Sequence, residues 1–391
     1  MKFTIRKTDF KFSLLILLLI IPFFELPLLS IHYPIINSIF KYGKLLSFLL
    51  IVIIYILSKK PSKIIIGICC YILTLIISTI INNGDYNYLL SIGIGIISLS
   101  LIFEFGIASK KRNVFFKTVI YYILFLLIVN LILMILYPNG MYKAIDTNYT
   151  ENWLLGYKNS LILYIYPCLL CSFLYSYLNN DKLNILSIVV YIICLISSYI
   201  AATSTTLFGL LLIGFYIMFS RSFAKRKILC IKNYVKIYII LYLGIIVFHV
   251  QNLFKFLIVD ILQKDLTFTG RIYIWSYVIN FIKKKPLIGY GIENSNYRFM
   301  KTSYWRSFHA HNFILEIVYK TGIVGFAIFS YIIYIMINQL NNLDNKKIKS
   351  FLSWFVFVFF IQLLTEAYSF IYIFYIFVIV YNISLIADKS I

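Results

Sequence analysis

The sequence predicts an all-α, polytopic integral membrane protein with about 12 transmembrane helices and one large extracytoplasmic loop between helices 9 and 10. Three observations predict it. Hydrophobic residues make up 62% of the 391 positions and charged ones only 13%, at a mean hydropathy of +0.91. Apolar runs of about 17 to 25 residues, the length that spans a bilayer as helix, recur from one end of the chain to the other. The runs are continuous rather than alternating, which excludes a β-barrel.

Twelve runs are expected as spans, near 12–31, 43–58, 64–81, 88–108, 114–136, 160–178, 183–201, 205–220, 234–250, 312–337, 351–364 and 366–387. The first has basic residues before it but no small-residue cleavage site, so it is expected as a retained span. Residues 1–250 then hold helices 1–9, residues 251–311 the loop, and residues 312–391 helices 10–12.

Charge orients the spans. One set of alternate segments holds 22 of the 36 basic residues, among them "KKPSK", "KKRNVFFK" and "RSFAKRKILCIKNYVK". The other set includes "NNGDYN", "AATS" and "LTEAYS", which hold none. By the positive-inside rule both termini are cytoplasmic. This accounts for the net charge of +22 without nucleic acid. The loop departs from the pattern: Lys255, Lys264, Arg271, Lys283, Lys284, Lys285, Arg298, Lys301 and Arg306 face only Asp260, Asp265 and Glu293. An anionic ligand is the simplest reason for that surplus.

Within the loop, Arg271 to Lys284 reads as a helix with Thr267 or Thr269 as cap and Pro286 as stop. Arg271 and Trp275 share a face, so the indole can stack on the guanidinium. Trp275, Val278, Ile279 and Ile282 form a stripe expected to lie on the membrane surface. The helix N-terminus and Arg271 suit a phosphate or diphosphate, and the bland alternative is an interfacial helix whose lysines touch headgroups. "PLIGYG" places Gly289 and Gly291 in a turn near something bulky.

The next segment, "FHAHNFILEIVYKTGIVG", puts Asn312, Glu316 and Lys320 on one stripe of an apolar helix. An acid at that depth costs several kcal/mol if it faces lipid, so Glu316 requires a cavity or a partner. A buried pair with Lys320 is the bland reading. His309 and His311 stand at the mouth, where an imidazole suits proton transfer. Gly322 and Gly325 are expected to admit a neighbouring helix. Glu25, Glu104 and Glu366 are single acids in apolar runs, with loop cations and Lys158 as candidate partners.

Other chemistry is excluded. The cysteine pair Cys168 and Cys171 lies inside a span and reads as packing rather than zinc or redox chemistry. No Asp-x-Asp and no nucleotide-binding loop occurs, so no metal and no cofactor is expected.

Gly270, Arg271 and Trp275, then Pro286, Gly289 and Gly291, then Ala310, His311, Asn312, Leu315, Glu316, Gly322 and Gly325 together resemble the O-antigen ligase and polymerase superfamily of bacterial surface-polysaccharide assembly. "GYKNS" is weakly similar to a further family segment and would add Lys158 and Asn159. An arginine frequent in the family is replaced here by "TSTT". The resemblance implies metal-independent polymerisation of polyprenyl-diphosphate-linked repeat units on the outer leaflet of the bacterial inner membrane. The chains would be capsule, exopolysaccharide or O-antigen. It implies catalysis by Arg271, His311 and Glu316, with substrate contacts from Trp275, Arg298, Arg306, His309, Asn312, Lys158, Asn159, Gly289 and Gly291. Lipid-linked glycans and membrane lipids are the expected partners, with a flippase and a chain-length regulator beside them. The alternatives are a ligase that moves finished glycan to lipid A core or another acceptor, and a lipid-linked oligosaccharide flippase.

Overall fold

The computed structural model describes residues 7–58, 60–143, 150–180, 182–226, 229–248, 250, 270–293 and 309–386. The protein is an all-α polytopic bundle. Its helices are α1 (Lys7–Ile20), α2 (Pro27–His32), α3 (Pro34–Ser58), α4 (Lys63–Ile81), α5 (Tyr86–Ala108), α6 (Arg112–Leu136) and α7 (Ile162–Asn180). They continue as α8 (Ile185–Ile200), α9 (Ser204–Lys225), α10 (Ile231–Tyr242), α11 (Arg271–Lys284), α12 (Phe313–Asn341), α13 (Lys346–Leu363) and α14 (Ile371–Ile386). Among the described residues the only strands are β1 (Asn152–Trp153) and β2 (Gly156–Tyr157), a two-stranded antiparallel hairpin before α7. Among the described residues, seven helices are long and apolar enough to cross a membrane, and α8 and α14 are shorter apolar helices.

Each expected run contains helix, but several bounds differ: the second helix begins earlier, at Pro34, the tenth is broken at Gly322, and the last begins at Ile371. The first run is not one helix, because Pro22 and Pro27 divide it into α1, a 3-10 turn over Ile21–Phe23, and α2. Proline removes a backbone donor and clashes with the preceding turn, so the chain restarts after each one. The ninth run continues from α10 as a π turn over Leu243–Val247.

The core is aromatic and aliphatic throughout. Helix α14 is wedged between α5 and α12, and α13 lies along α9. Phe103 stacks on Tyr375 at 4.6 Å, and Phe173 on Phe351 at 5.1 Å. Two of the single acids in the apolar runs, buried Glu104 and half-buried Glu25, find partners. Glu104 accepts from Tyr55 Oη at 2.9 Å and Ser62 Oγ at 2.7 Å. Glu25 pairs with Lys44. Neither takes Lys158, whose ammonium lies 2.6 Å from Glu151 beside the hairpin.

The segments read as one face come together. Asp85 N donates to Ile292 O at 2.8 Å, Asn312 Nδ2 donates to Leu364 O at 2.8 Å, and Arg271 meets Glu366. At the other end Lys111 pairs with Asp9 at 3.3 Å.

Helix α11 has the expected bounds, but its cap and its buried face differ from expectation. The capping position is Gly270, at φ 82°, with no side-chain cap; Thr267 and Thr269 lie outside the described residues. The apolar stripe does not face lipid: Trp275 is fully buried and Val278 nearly so, in a small second core with Tyr238, Tyr290, Leu315, Tyr319 and Leu364. The stripe packs on α12 because that helix offers a matching apolar face.

Helix α12 starts at Phe313, one residue into the expected run. Asn312 is its N-cap, accepting from Leu315 N at 2.9 Å while its amide reaches Leu364 O. Asn312→Ala removes both bonds from a residue with no exposed surface. Loss of the cap costs about 1 kcal/mol, and the orphaned Leu364 carbonyl adds to it. The thermal midpoint of the purified protein in detergent is expected to fall, and an unchanged midpoint would contradict the capping role.

Candidate functional site

A membrane helix that breaks must have its freed backbone groups satisfied from elsewhere, since lipid offers nothing to bond. Helix α12 breaks at Gly322, which stands at φ 64°, ψ −164°. The "PLIGYG" strap after α11 fills the break. Tyr290 N donates to Tyr319 O at 2.9 Å and Gly291 N to Lys320 O at 2.8 Å. In return Ile323 N donates to Pro286 O at 2.8 Å and Val324 N to Leu287 O at 3.2 Å. The other side of the strap is sewn to the end of α4: Ile292 N donates to Thr79 Oγ1 at 3.0 Å and Asn82 Nδ2 to Gly289 O at 3.0 Å.

This corrects the readings of four glycines. Gly289 and Gly291 have positive φ and abut backbone, so they form the clasp rather than a surface left open to substrate. A Cβ on Gly289 would lie 2.5 Å from Tyr319 O, and one on Gly291 2.5 Å from Thr79 Cα. Gly322 makes room for the strap, not for a helix. A Cβ on Gly325 would meet its own helix at Thr321.

The clasp brings the polar side chains to one place. Arg271, the first residue of α11, donates from Nη2 to Glu366 Oε1 at 2.5 Å. Glu366 sits in the turn between α13 and α14, 5% exposed. Its other oxygen lies 3.5 Å from His311 Nδ1. Burial pushes the Glu366 carboxyl up, but the His311 imidazole 3.5 Å away, the Arg271 guanidinium and the nearby His309 outweigh it and hold the group below the usual carboxylate range. Glu366 therefore stays ionised and anchors a cation and an imidazole at once. His311 itself has φ 48°, a left-handed conformation uncommon outside glycine and asparagine. Such strain persists where surrounding contacts over-determine it, and active sites are frequent locations. The His309 ring lies 4.1 Å from the His311 ring.

Below them Glu316 and Lys320 form the expected ion pair at 2.8 Å. The second Glu316 oxygen accepts from Ala310 N at 2.8 Å, so the carboxylate also holds the His309–Asn312 turn. Above this pair opens a cavity of about 430 Å³. Its polar wall includes Asp85, Glu293, His309, Glu316 and Lys320. Tyr88, Tyr368 and Phe370 supply its aromatic wall.

Sequence-predicted residues thus divide. Arg271, His309, His311, Asn312 and Glu316 converge, with Trp275 buried beneath α11. Lys158 and Asn159 belong to the turn beside the hairpin and do not line the cavity. Arg298 and Arg306 lie outside the described residues. Glu366 was visible as a lone buried acid, but its partners are 95 residues or more before it in Arg271 and 55 in His311. Asp85 and Tyr368 carried no signal that could have placed them here.

Part of the chain is similar to known proteins. Residues 168–330 match the family model described as O-antigen ligase. The chain fits the O-antigen ligase and polymerase superfamily. A protein of Rickettsia felis named provisionally as a polysaccharide ligase is 35% identical over 69 residues, covering 15% of this chain and 17% of that protein. A similarly named protein of Rickettsia typhi is 38% identical over 71 residues, again 15% and 17%. The chain thus matches about a sixth of the length of these curated relatives. The superfamily match includes α11, the strap and the first half of α12, but it stops short of Glu366.

Proposed function

We propose that this protein is a glycosyltransferase of the outer leaflet of the bacterial cytoplasmic membrane, with both termini cytoplasmic, that polymerises polyprenyl-diphosphate-linked repeat units into surface polysaccharide. The observation that carries the reading is the Arg271–Glu366–His311 cluster beside a cavity with aromatic and carboxylate walls.

In this reading the acceptor hydroxyl oxygen attacks the anomeric carbon of the donor glycan. Its proton passes to His311, whose Nδ1 side is turned to the Glu366 carboxylate. As the new C–O bond forms, the bond to the carrier breaks and its electron pair leaves on polyprenyl diphosphate. Arg271 receives that charge: a guanidinium has five N–H donors, so its contact with one carboxylate leaves others for phosphate oxygens. Glu316 positions the histidine turn and Lys320 rather than taking the proton, because its two oxygens hold Lys320 and Ala310 N.

The names of the matched family and of the two rickettsial proteins favour a second reading, a ligase that hands finished glycan to lipid A core or another acceptor. One experiment separates them. Purified protein in proteoliposomes receives lipid-linked repeat units from its own host, and the products are sized. Polymerisation gives a ladder of chain lengths from repeat units alone. Single units that are consumed only when a separate acceptor is added would support the ligase. Units unchanged under both conditions would refute glycosyl transfer.

A further inference from the structure

Three consecutive exposed lysines, Lys283, Lys284 and Lys285, close α11 and lead into the strap. Their contacts are with neutral groups. Lys284 Nζ lies 5.3 Å from the centre of the Phe281 ring, and Lys285 Nζ 5.0 Å from that of Tyr290. Lys285 also donates to the side-chain oxygen of Asn82, the C-cap of α4. Among the described residues no carboxylate pairs with any of the three. The stretches 251–269 and 294–308 bring no surplus of acid, since Lys255, Lys264, Arg298, Lys301 and Arg306 outnumber Asp260 and Asp265.

Immediately beside the lysines the surface is apolar. Leu287 and Ile288 of the strap are exposed, as are Ile323 and Val324 just past the α12 break. The clasp makes them neighbours, through Ile323 N to Pro286 O and Val324 N to Leu287 O. Ile80 and Ile81, which end α4 next to Asn82, are exposed as well. The lysines thus stand where a lipid-facing surface meets the end of a span. That is the order of groups at a headgroup boundary: apolar side chains for acyl chains, aromatic rings at the interface, ammonium groups for phosphate. A soluble acidic partner would satisfy the lysines and leave the leucine and isoleucines in water, whereas a lipid satisfies both. Arg271, read above as the diphosphate residue, starts the helix that Lys284 ends, about 20 Å away at the helical rise.

We propose that the lysine triplet 283–285, with Leu287, Ile288, Ile323 and Val324, is a docking surface for an anionic phospholipid, and that the bound lipid ties the strap to the bilayer. Phosphate oxygens accept charge-assisted hydrogen bonds from the ammonium groups. Near an anionic membrane surface each lysine contributes about fivefold in affinity. A zwitterionic headgroup gains less, because its own ammonium opposes the lysines. No residue of the Arg271–Glu366–His311 cluster takes part, so the surface is the same whichever transfer reaction the site performs.

The test places the full-length protein in phosphatidylcholine nanodiscs that contain a small share of a lipid with a photoreactive acyl chain. The probe carries either a phosphatidylglycerol or a phosphatidylcholine headgroup, and labelled positions are mapped by mass spectrometry. The phosphatidylglycerol probe is expected to label residues 286–288 and 323–324 about fivefold more than the phosphatidylcholine probe, or better. The Lys283→Gln, Lys284→Gln, Lys285→Gln triple variant is expected to reduce that preference to roughly twofold or less. The triple Lys283→Arg, Lys284→Arg, Lys285→Arg variant keeps the charge and is expected to keep the preference. If the glutamine triple does not accumulate, Lys283→Gln with Lys284→Gln serves in its place, since it leaves the Lys285–Asn82 contact intact. Equal labelling by the two probes, a preference undiminished by glutamine, or one lost with arginine would each overturn the proposal. So would displacement of the phosphatidylglycerol probe by added polyprenyl diphosphate but not by equimolar unlabelled phosphatidylglycerol, which would make the surface a carrier site.

Discussion

His311→Ala is expected to lower the rate of chain growth by roughly 10²–10⁴-fold, the usual contribution of a positioned general base, while the protein accumulates in the membrane at wild-type amounts. His311 is partly exposed at the mouth of the site, so its loss opens little of the core. Glu366→Gln should act differently, since it removes charge rather than an imidazole. The Arg271 guanidinium is left beside a neutral amide, and breaking a buried pair from one side typically costs about 3–5 kcal/mol; the Arg271 side chain retains 19% exposure, which places the expected cost at or below the lower end. The pH dependence follows from the direction of the Glu366 shift. A carboxyl held below its ordinary range stabilises the fold at and above that range, and the contribution disappears as pH falls through the lowered folded-state value. The difference in thermal stability between wild type and Glu366→Gln should therefore be full near neutrality and shrink only in strong acid. A constant difference across the whole range would show that Glu366 does not act through its charge, and wild-type chain lengths in His311→Ala would remove that histidine from the chemistry.

Gly322→Val should be among the most damaging single substitutions in the chain. A side chain there must adopt φ 64° with its Cβ 2.2 Å from Leu287 O. Backbone strain of that kind costs about 1–3 kcal/mol, and the clash adds a displacement of the strap. Once displaced, the strap no longer satisfies Tyr319 O, Lys320 O, Ile323 N or Val324 N. Exposed in a nonpolar environment, each such group costs several kcal/mol. Loss of folded protein, read as a collapse of the monodisperse peak in size-exclusion chromatography, is the expected result. Gly291→Val should behave similarly through Thr79. Gly325→Ala should also be damaging, because its Cβ would lie 2.2 Å from Thr321 Cβ, but the clash lies within α12 and does not involve the strap. Wild-type yields of folded Gly322→Val and Gly291→Val would show that the strap does not close the break.

The chain's apolar run lengths are enough to place most of the helices, because a bilayer imposes one length on every span independently. The bounds of α11 were legible for a similar reason: Arg271 to Lys284 ends at a lysine pair and a proline, all local signals. The Glu316–Lys320 pair was legible because four residues on a helix return to the same face.

What spacing within one element could not show is what meets across elements. The surface stripe of α11 turned inward because α12 offers a complementary apolar face, and nothing in α11 itself distinguishes lipid from protein as its neighbour. The glycines of "PLIGYG" and "GIVG" were visible as special backbone positions, but that the two motifs complete each other's hydrogen bonds depends on folding one against the other. Glu366 is the sharpest case. Alone it is an unpaired acid near the end of an apolar run; folded, it joins Arg271 and His311, and Ala367 to Phe370 beside it form a wall of the cavity. The sequence by itself determined the membrane architecture and most of the residues that carry charge into it. Only the tertiary structure decided which charges share a site, because the energy of a buried ion depends on its partner's distance in space and not along the chain.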